Sequence, residues 1–190
     1  MHKTTTLSGL SGLLLGLLAA TWNPALAAGS DPSLSLTDLP TGFKQTEAHD
    51  HVQDDSGTFT KCQGVSSGLK VYQGPEAASL QRVVDLWWIF PSVALADKFF
   101  DSSQTQLCEG MPLAPGAKAL GDKDKAYGGK VDMGAIVPGD SFYSWMYIFR
   151  CGRAVGKVYG AEGPMATTHP TLQMLTPIAE AAVRHFQSYK

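Results

Sequence analysis

The chain has 190 residues, a formal net charge of −2 at pH 7, and 44% hydrophobic against 17% charged residues. This length and composition are typical of one globular domain around a single core. Charges of both signs are interspersed and no basic run stands out, which argues against a nucleic-acid-binding or anionic-membrane-binding protein.

The N-terminal segment has the features of a secretory signal peptide. Lys3 supplies a positive start, residues 7–20 form an uncharged apolar stretch, and residues 25–27 (ALA) provide a small-residue cleavage site. The apolar stretch is shorter than the roughly 20 residues of a membrane span, and no cysteine near the cleavage site offers a lipid acceptor. We therefore expect residues 1–27 to be removed. The mature domain would be exported, to the periplasm or beyond the cell, with no membrane anchor.

Residues 28–41 are small, polar and proline-containing, which predicts a flexible lead-in to a single domain over residues 42–190. Short extended candidates follow at residues 43–48, 58–62 and 69–73. A firmer strand is predicted at residues 80–90 (LQRVVDLWWIF), ended by Pro91.

An amphipathic helix is predicted over residues 93–107, with Ser92 as its N-cap. The dense alternating charges that follow predict a solvated loop or the edge of a hairpin. These charges are Lys118, Asp122, Lys123, Asp124 and Lys125.

A β-hairpin is predicted over residues 141–160. A Gly152-Arg153 loop is stereochemically more favourable than a Cys151-Gly152 loop, because glycine suits the first central position of a type II′ turn. Either loop gives one face on which large rings oppose small or absent side chains, a face suited to packing beneath a helix. Its members are Tyr143, Trp145, Tyr147 and Phe149 on one strand and Ala154, Gly156, Val158 and Gly160 on the other.

A second helix is predicted near the C-terminus, with a proline-marked start or kink at Thr176-Pro177. Its apolar stripe comprises Leu172, Leu175, Ala179, Ala182, Val183 and Phe186. Strands therefore come in consecutive groups, each followed by a helix. This order predicts an α+β domain, with a mainly antiparallel twisted sheet and both main helices packed on one face.

Three cysteines, Cys62, Cys108 and Cys151, follow the predicted cleavage site. In an oxidising compartment one pair can close, and the spacings match no zinc or redox motif. A disulfide closing such a loop stabilises a fold by about 4 kcal/mol in the chain-entropy model. Cys62–Cys108 is favoured because both would lie at one sheet edge, but a pairing through Cys151 at the hairpin end stays open.

His49 and His51, followed by Asp54 and Asp55, form the most site-like cluster. On a strand, His-x-His points both rings to one side, and carboxylates could complete a zinc or copper site. The competing interpretation is a polar loop. We assign no catalytic residue and no cofactor, since no nucleophile–base motif occurs and His169 and His185 are explained by helix capping or partial burial.

Trp87 and Trp88 are candidate ligand-binding residues. Adjacent residues of a strand point to opposite faces, so one of the two rings should leave the helix-covered core and face water, a cleft or another element.

Several segments together carry a family resemblance. They are residues 36–43 (LTDLPTGF), 93–100 (VALADKFF), Cys108, Gly121-Asp122, the hairpin 147–158 (YIFRCGRAVGKV) and the terminal helix. This layout resembles the extracellular sensor-like domains of actinobacterial serine/threonine kinases and related secreted proteins, over most of the mature chain. The resemblance implies a twisted antiparallel sheet and a ligand cleft without catalysis. The chain departs from that family in having no kinase, no membrane anchor and an odd number of cysteines.

The sequence thus predicts an exported, non-enzymatic ligand-binding or accessory domain whose partner is a small molecule or an envelope protein. The alternative is an exported metal-dependent or hydrolytic enzyme that uses His49 and His51.

Overall fold

The computed structural model describes residues 31–52, 64–106, 111–132, 141–164 and 166–190. The predicted signal peptide, the strand candidate at residues 58–62, and both Cys62 and Cys108 lie outside the described residues.

Six strands form one antiparallel sheet in the order β1-β2-β3-β6-β5-β4. The strands are β1 (Lys44–Asp50), β2 (Ser66–Gln73), β3 (Arg82–Ile89), β4 (Lys123–Asp132), β5 (Ser141–Cys151) and β6 (Ala154–Ala161). The helices are α1 (Val93–Gln106) and α2 (Leu172–Phe186). The predicted α+β class and antiparallel sheet are confirmed.

The β5–β6 hairpin has the predicted register. Cys151 pairs with Ala154, so Gly152-Arg153 is the loop, and Gly152 has a φ of +56°. The rings of β5 face glycines and small residues of β6, and Phe149 packs against Phe186 of α2 with ring centroids 5.5 Å apart. Helix α2 begins at Leu172, so Pro177 lies inside it instead of starting it.

The two helices lie on opposite faces of the sheet, so the prediction that both pack on one face is wrong. Helix α2 covers the face of Tyr147 and Phe149, the α2 face, whereas α1 packs on Met146 and Ile148, the α1 face. This second face contains apolar residues beside Arg150, whose charge pairs with Asp97 of α1 at 2.7 Å (Nε to Oδ1). Once the charge is neutralised, that face can also be buried.

Residues 31–39, which we call the N-terminal strap, pack on the α2 face over β2 and β3. Leu34 is fully buried; its N–H donates to Asp85 Oδ2 at 2.7 Å, and its carbonyl oxygen accepts from the Tyr72 hydroxyl. Lys70 Nζ pairs with Asp31 Oδ2 at 2.7 Å. The flexible lead-in predicted for residues 28–41 is therefore wrong from Asp31 onward, because the strap supplies a core residue and satisfies buried polar groups.

The charge-rich segment contributes an edge strand. Lys123, Asp124 and Lys125 belong to β4, which lies at the edge of the sheet. Asp122 Oδ2 accepts from the Gly152 N–H at 2.7 Å and thereby holds the hairpin loop. The hairpin-edge interpretation of these charges is correct, whereas the solvated-loop interpretation is wrong for residues 123–125.

Asp85, in the middle of the sheet, makes stability depend on pH. Its side chain is fully buried, Oδ1 has no hydrogen-bond partner among the described residues, and burial raises its pKa from 3.8 to about 7. The folded protein therefore keeps a proton that the unfolded chain releases, so this group lowers stability as pH rises from about 4 to about 7. Asp85→Asn should remove that decline, measured as the free energy of unfolding by urea denaturation across this range.

The control for Asp85 is Asp50→Asn, which changes an exposed carboxylate on β1. This variant should retain the wild-type decline. Identical pH profiles for the wild type and Asp85→Asn would contradict the account of the buried carboxyl.

The close approach of α2 to β6 depends on Gly156. A Cβ at this position would lie 2.5 Å from the rings of both Phe149 and Phe186. Gly156→Ala should therefore cost about 1–3 kcal/mol of unfolding free energy, the usual range for overpacking. Gly160→Ala should cost less, because the atoms within 3 Å of its Cβ are the flexible ends of Leu80 and Leu175. Equal losses in chemical denaturation would contradict this packing.

Candidate ligand-binding groove

A groove of about 300 Å³ lies on the α2 face, between α2 and the loop that precedes β4. One wall is α2, through Leu172, Gln173, Thr176, Pro177 and Glu180; residues 116–118 form the opposite rim, and Tyr147 of β5 also lines the groove. Helix residues three and four positions apart share a face, which explains why these five residues of α2 form one wall.

The rim is held by anchors on both sides. Ala114 and Leu120 are buried in the core, and the Ala114 N–H donates to the Ala126 carbonyl of β4 at 2.9 Å. Between the anchors, Gly116 has a φ of +75°, and a Cβ there would meet nothing within 4 Å. The loop is therefore fixed at its ends and open around Gly116.

Hydroxyl groups at the base of the groove have a defined direction of hydrogen bonding. Thr176 Oγ1 donates to the Leu172 carbonyl at 2.8 Å and lies 3.0 Å from the Tyr147 hydroxyl. Because Thr176 has one hydroxyl hydrogen, Tyr147 must be the donor to Thr176. Tyr147 is fully buried, so its hydroxyl holds Thr176 from beneath the groove and does not face a bound molecule.

An ion pair crosses the groove from the loop to the helix. Lys118 Nζ contacts Glu180 Oε1, and their side chains are 64% and 29% exposed. An ion pair this exposed contributes little to stability.

A second polar cluster lies next to the start of α2. Glu162 Oε2 is 2.6 Å from His169 Nδ1, and Glu162 Oε1 accepts from the Tyr143 N–H at 2.7 Å. The His169 and Tyr143 rings stack with centroids 3.9 Å apart. The sequence explanation of His169 missed this partner, since nothing in a loop of that composition indicates that Glu162 turns back toward it.

Trp87 and Trp88 point to opposite faces as predicted, and of the three expected alternatives the ring that leaves the α2 face meets another element, not water or a cleft. They are 8% and 2% exposed. Trp87 belongs to the core on the α2 face, whereas Trp88 packs against Phe99 of α1 with ring centroids 4.9 Å apart. Each is buried because each face has a helix, and neither lines the groove.

His49 and His51 lie at the exposed edge of the sheet. His49 Nε2 is 3.6 Å from Glu47 Oε2, and both side chains are more than half exposed. His51 follows the end of β1 with a φ of +59°, so the strand alternation that would align the two rings ends before it. Asp54 and Asp55 lie outside the described residues. Within the parts of the chain that the structure describes, no three His, Cys, Asp or Glu residues form a group that could hold a metal ion.

Cys151 is a buried free thiol at the end of β5. Burial, followed by the charge of Asp122, raises its pKa from 9.0 to about 11. The other two cysteines, Cys62 and Cys108, are outside the described residues, so their predicted disulfide stays a prediction.

Comparison with known proteins gives a likeness in fold. No protein-family model and no curated protein sequence matches the chain. The structure is similar to the extracellular domain of PknH, a serine/threonine kinase from Mycobacterium tuberculosis, with a TM-score of 0.56 over 81% of this chain and 92% of that one. Sequence identity is 9%. Among the described helices, none is long and apolar enough to cross a membrane. This match to the extracellular domain of a kinase therefore confirms, at the level of the fold, the resemblance predicted from the sequence.

Proposed function

We propose that this chain is an exported, sensor-like domain that binds a small molecule, without catalysis, in the groove between α2 and residues 116–118. The observation that carries this proposal is the groove itself, in which the apolar Ala117, Leu172 and Pro177 lie among polar and charged side chains. Small-molecule sites combine apolar surface with a few polar groups that fix orientation, and about 300 Å³ is at the small end of their range. The likeness to an extracellular domain supports export.

The polar groups of the groove suit binding better than reaction. Thr176 commits its proton to the Leu172 carbonyl, and Tyr147 donates to Thr176. Lys118 and Glu180 neutralise each other. Among the described residues of the groove, these pairings leave no nucleophile beside a free base, which covalent catalysis would need.

A ligand screen tests the function. We expect one class of metabolite-sized compounds to raise the thermal midpoint of the wild type. Gln173→Trp, which places a large ring on the groove wall, should abolish that shift. The control is Gln187→Trp, which changes an exposed glutamine just beyond α2 and outside the groove.

Two results would contradict the groove as the ligand site. In one, Gln173→Trp leaves the ligand-induced shift unchanged. In the other, a reproducible turnover of substrate is abolished by a single change at His49 or His51, which would favour the enzyme alternative.

Export and the proposed Cys62–Cys108 disulfide predict a specific labelling pattern. Secreted protein should begin at Ala28 and carry one disulfide. Iodoacetamide should fail to modify Cys151 in the folded protein, because the thiol is buried and its pKa is raised to about 11. After denaturation without reductant, peptide mass spectrometry should find one labelled cysteine, Cys151.

Two results would contradict these expectations. Recovery of the chain from the cytosol with Met1 attached would contradict export. A disulfide that contains Cys151 would contradict the pairing and the buried free thiol.

A further inference from the structure

We propose that the groove selects ligands that carry a protonated amine, which replaces the Lys118 ammonium beside Glu180. This inference rests on the proposed function, since it names the class of molecule that the groove binds.

The hydroxyls at the base of the groove offer no proton to a ligand. The proton of Thr176 goes to Leu172, and that of the buried Tyr147 goes to Thr176. Pro177 has no N–H, which removes the helical hydrogen bond to the Gln173 carbonyl one turn earlier. This part of the α2 wall therefore favours a ligand that brings hydrogen-bond donors.

Glu180 is placed where it can contact a ligand cation. It lies four residues beyond Thr176, which places the two side chains next to each other on the same side of α2. Its side chain is only 29% exposed and is paired with a cation. The negative charge thus lies beside Thr176 on the groove wall, where it can pair with a ligand amine.

Lys118 can leave Glu180. Its side chain is 64% exposed, and it extends from a rim that is open around Gly116. An exposed ion pair of this kind contributes little, so its loss costs little. Lys118 shows where a primary ammonium fits on this wall, and its flexible stem lets it swing into solvent when a ligand amine arrives.

A matched set of three compounds tests the inference. 2-Phenylethylamine, 2-phenylethanol and phenylacetic acid share a ring and differ in the polar group. We expect only the amine to bind. NMR titration of the full mature chain at pH 7 measures the binding. Lys118→Met should tighten amine binding about 2- to 5-fold, because it removes a weak competitor for Glu180. Glu180→Gln should weaken it at least 10-fold.

Matched controls separate these effects from general changes of charge. Lys98→Met lies on α1, on the other side of the sheet, and Glu76→Gln is exposed before β3. Both should bind the amine as the wild type does, and each variant should keep the wild-type thermal midpoint within a few degrees.

The outcomes distinguish this inference from the proposed function. Absence of amine binding to folded Lys118→Met overturns the inference, as does equal or tighter binding of phenylacetic acid. If a screened ligand without an amine is lost in Gln173→Trp, the groove function stands while the amine preference falls. If neither the probes nor any screened compound binds, both fall.

Discussion

The contact of α2 with the aromatic face of β5 and β6 is the interaction on which the other features of this domain depend. Phe149 can meet Phe186 because Gly156, its partner across the hairpin, has no side chain. This contact fixes both the height and the rotation of α2 over the sheet. The same rotation turns Thr176 toward Tyr147 and leaves Glu180 facing the loop. The core and the groove wall are thus two consequences of one packing arrangement.

Buried polar groups hold the other segments of the chain against this core. The N-terminal strap supplies Leu34 to the core and a backbone N–H to the buried Asp85. On the opposite face, Arg150 meets Asp97 of α1, which permits burial of Met146 and Ile148. Burial of a polar group is tolerated only where a partner compensates it. Asp85, with one oxygen lacking a described partner, is the place where compensation is incomplete and protonation takes over.

Much of the fold follows from local pattern, whereas the site does not. Alternation of rings and small residues predicted the β5–β6 register, and the apolar stripe of α2 predicted its buried side. The placement of α1 on the other face was missed because Arg150 and Lys157 interrupt the apolar pattern of that face. The strap was missed because Leu34 and Asp85 are 51 residues apart. The groove joins Lys118 to Glu180 across 62 residues, with Tyr147 between them in the sequence, and no short motif encodes such a meeting. Trp87 and Trp88 were singled out because adjacent strand residues face opposite ways, and the sequence did not reveal that a helix covers each face.

Hydrogen–deuterium exchange of the mature chain, with and without a ligand found by screening, tests the central claim most directly, namely that α2 and the loop before β4 together bind a ligand. The account predicts that the ligand slows exchange in residues 116–118 and in the first half of α2, while exchange in β1 at the far edge of the sheet stays unchanged. Protection confined to β1 and the surroundings of His49, with none at α2, would contradict it.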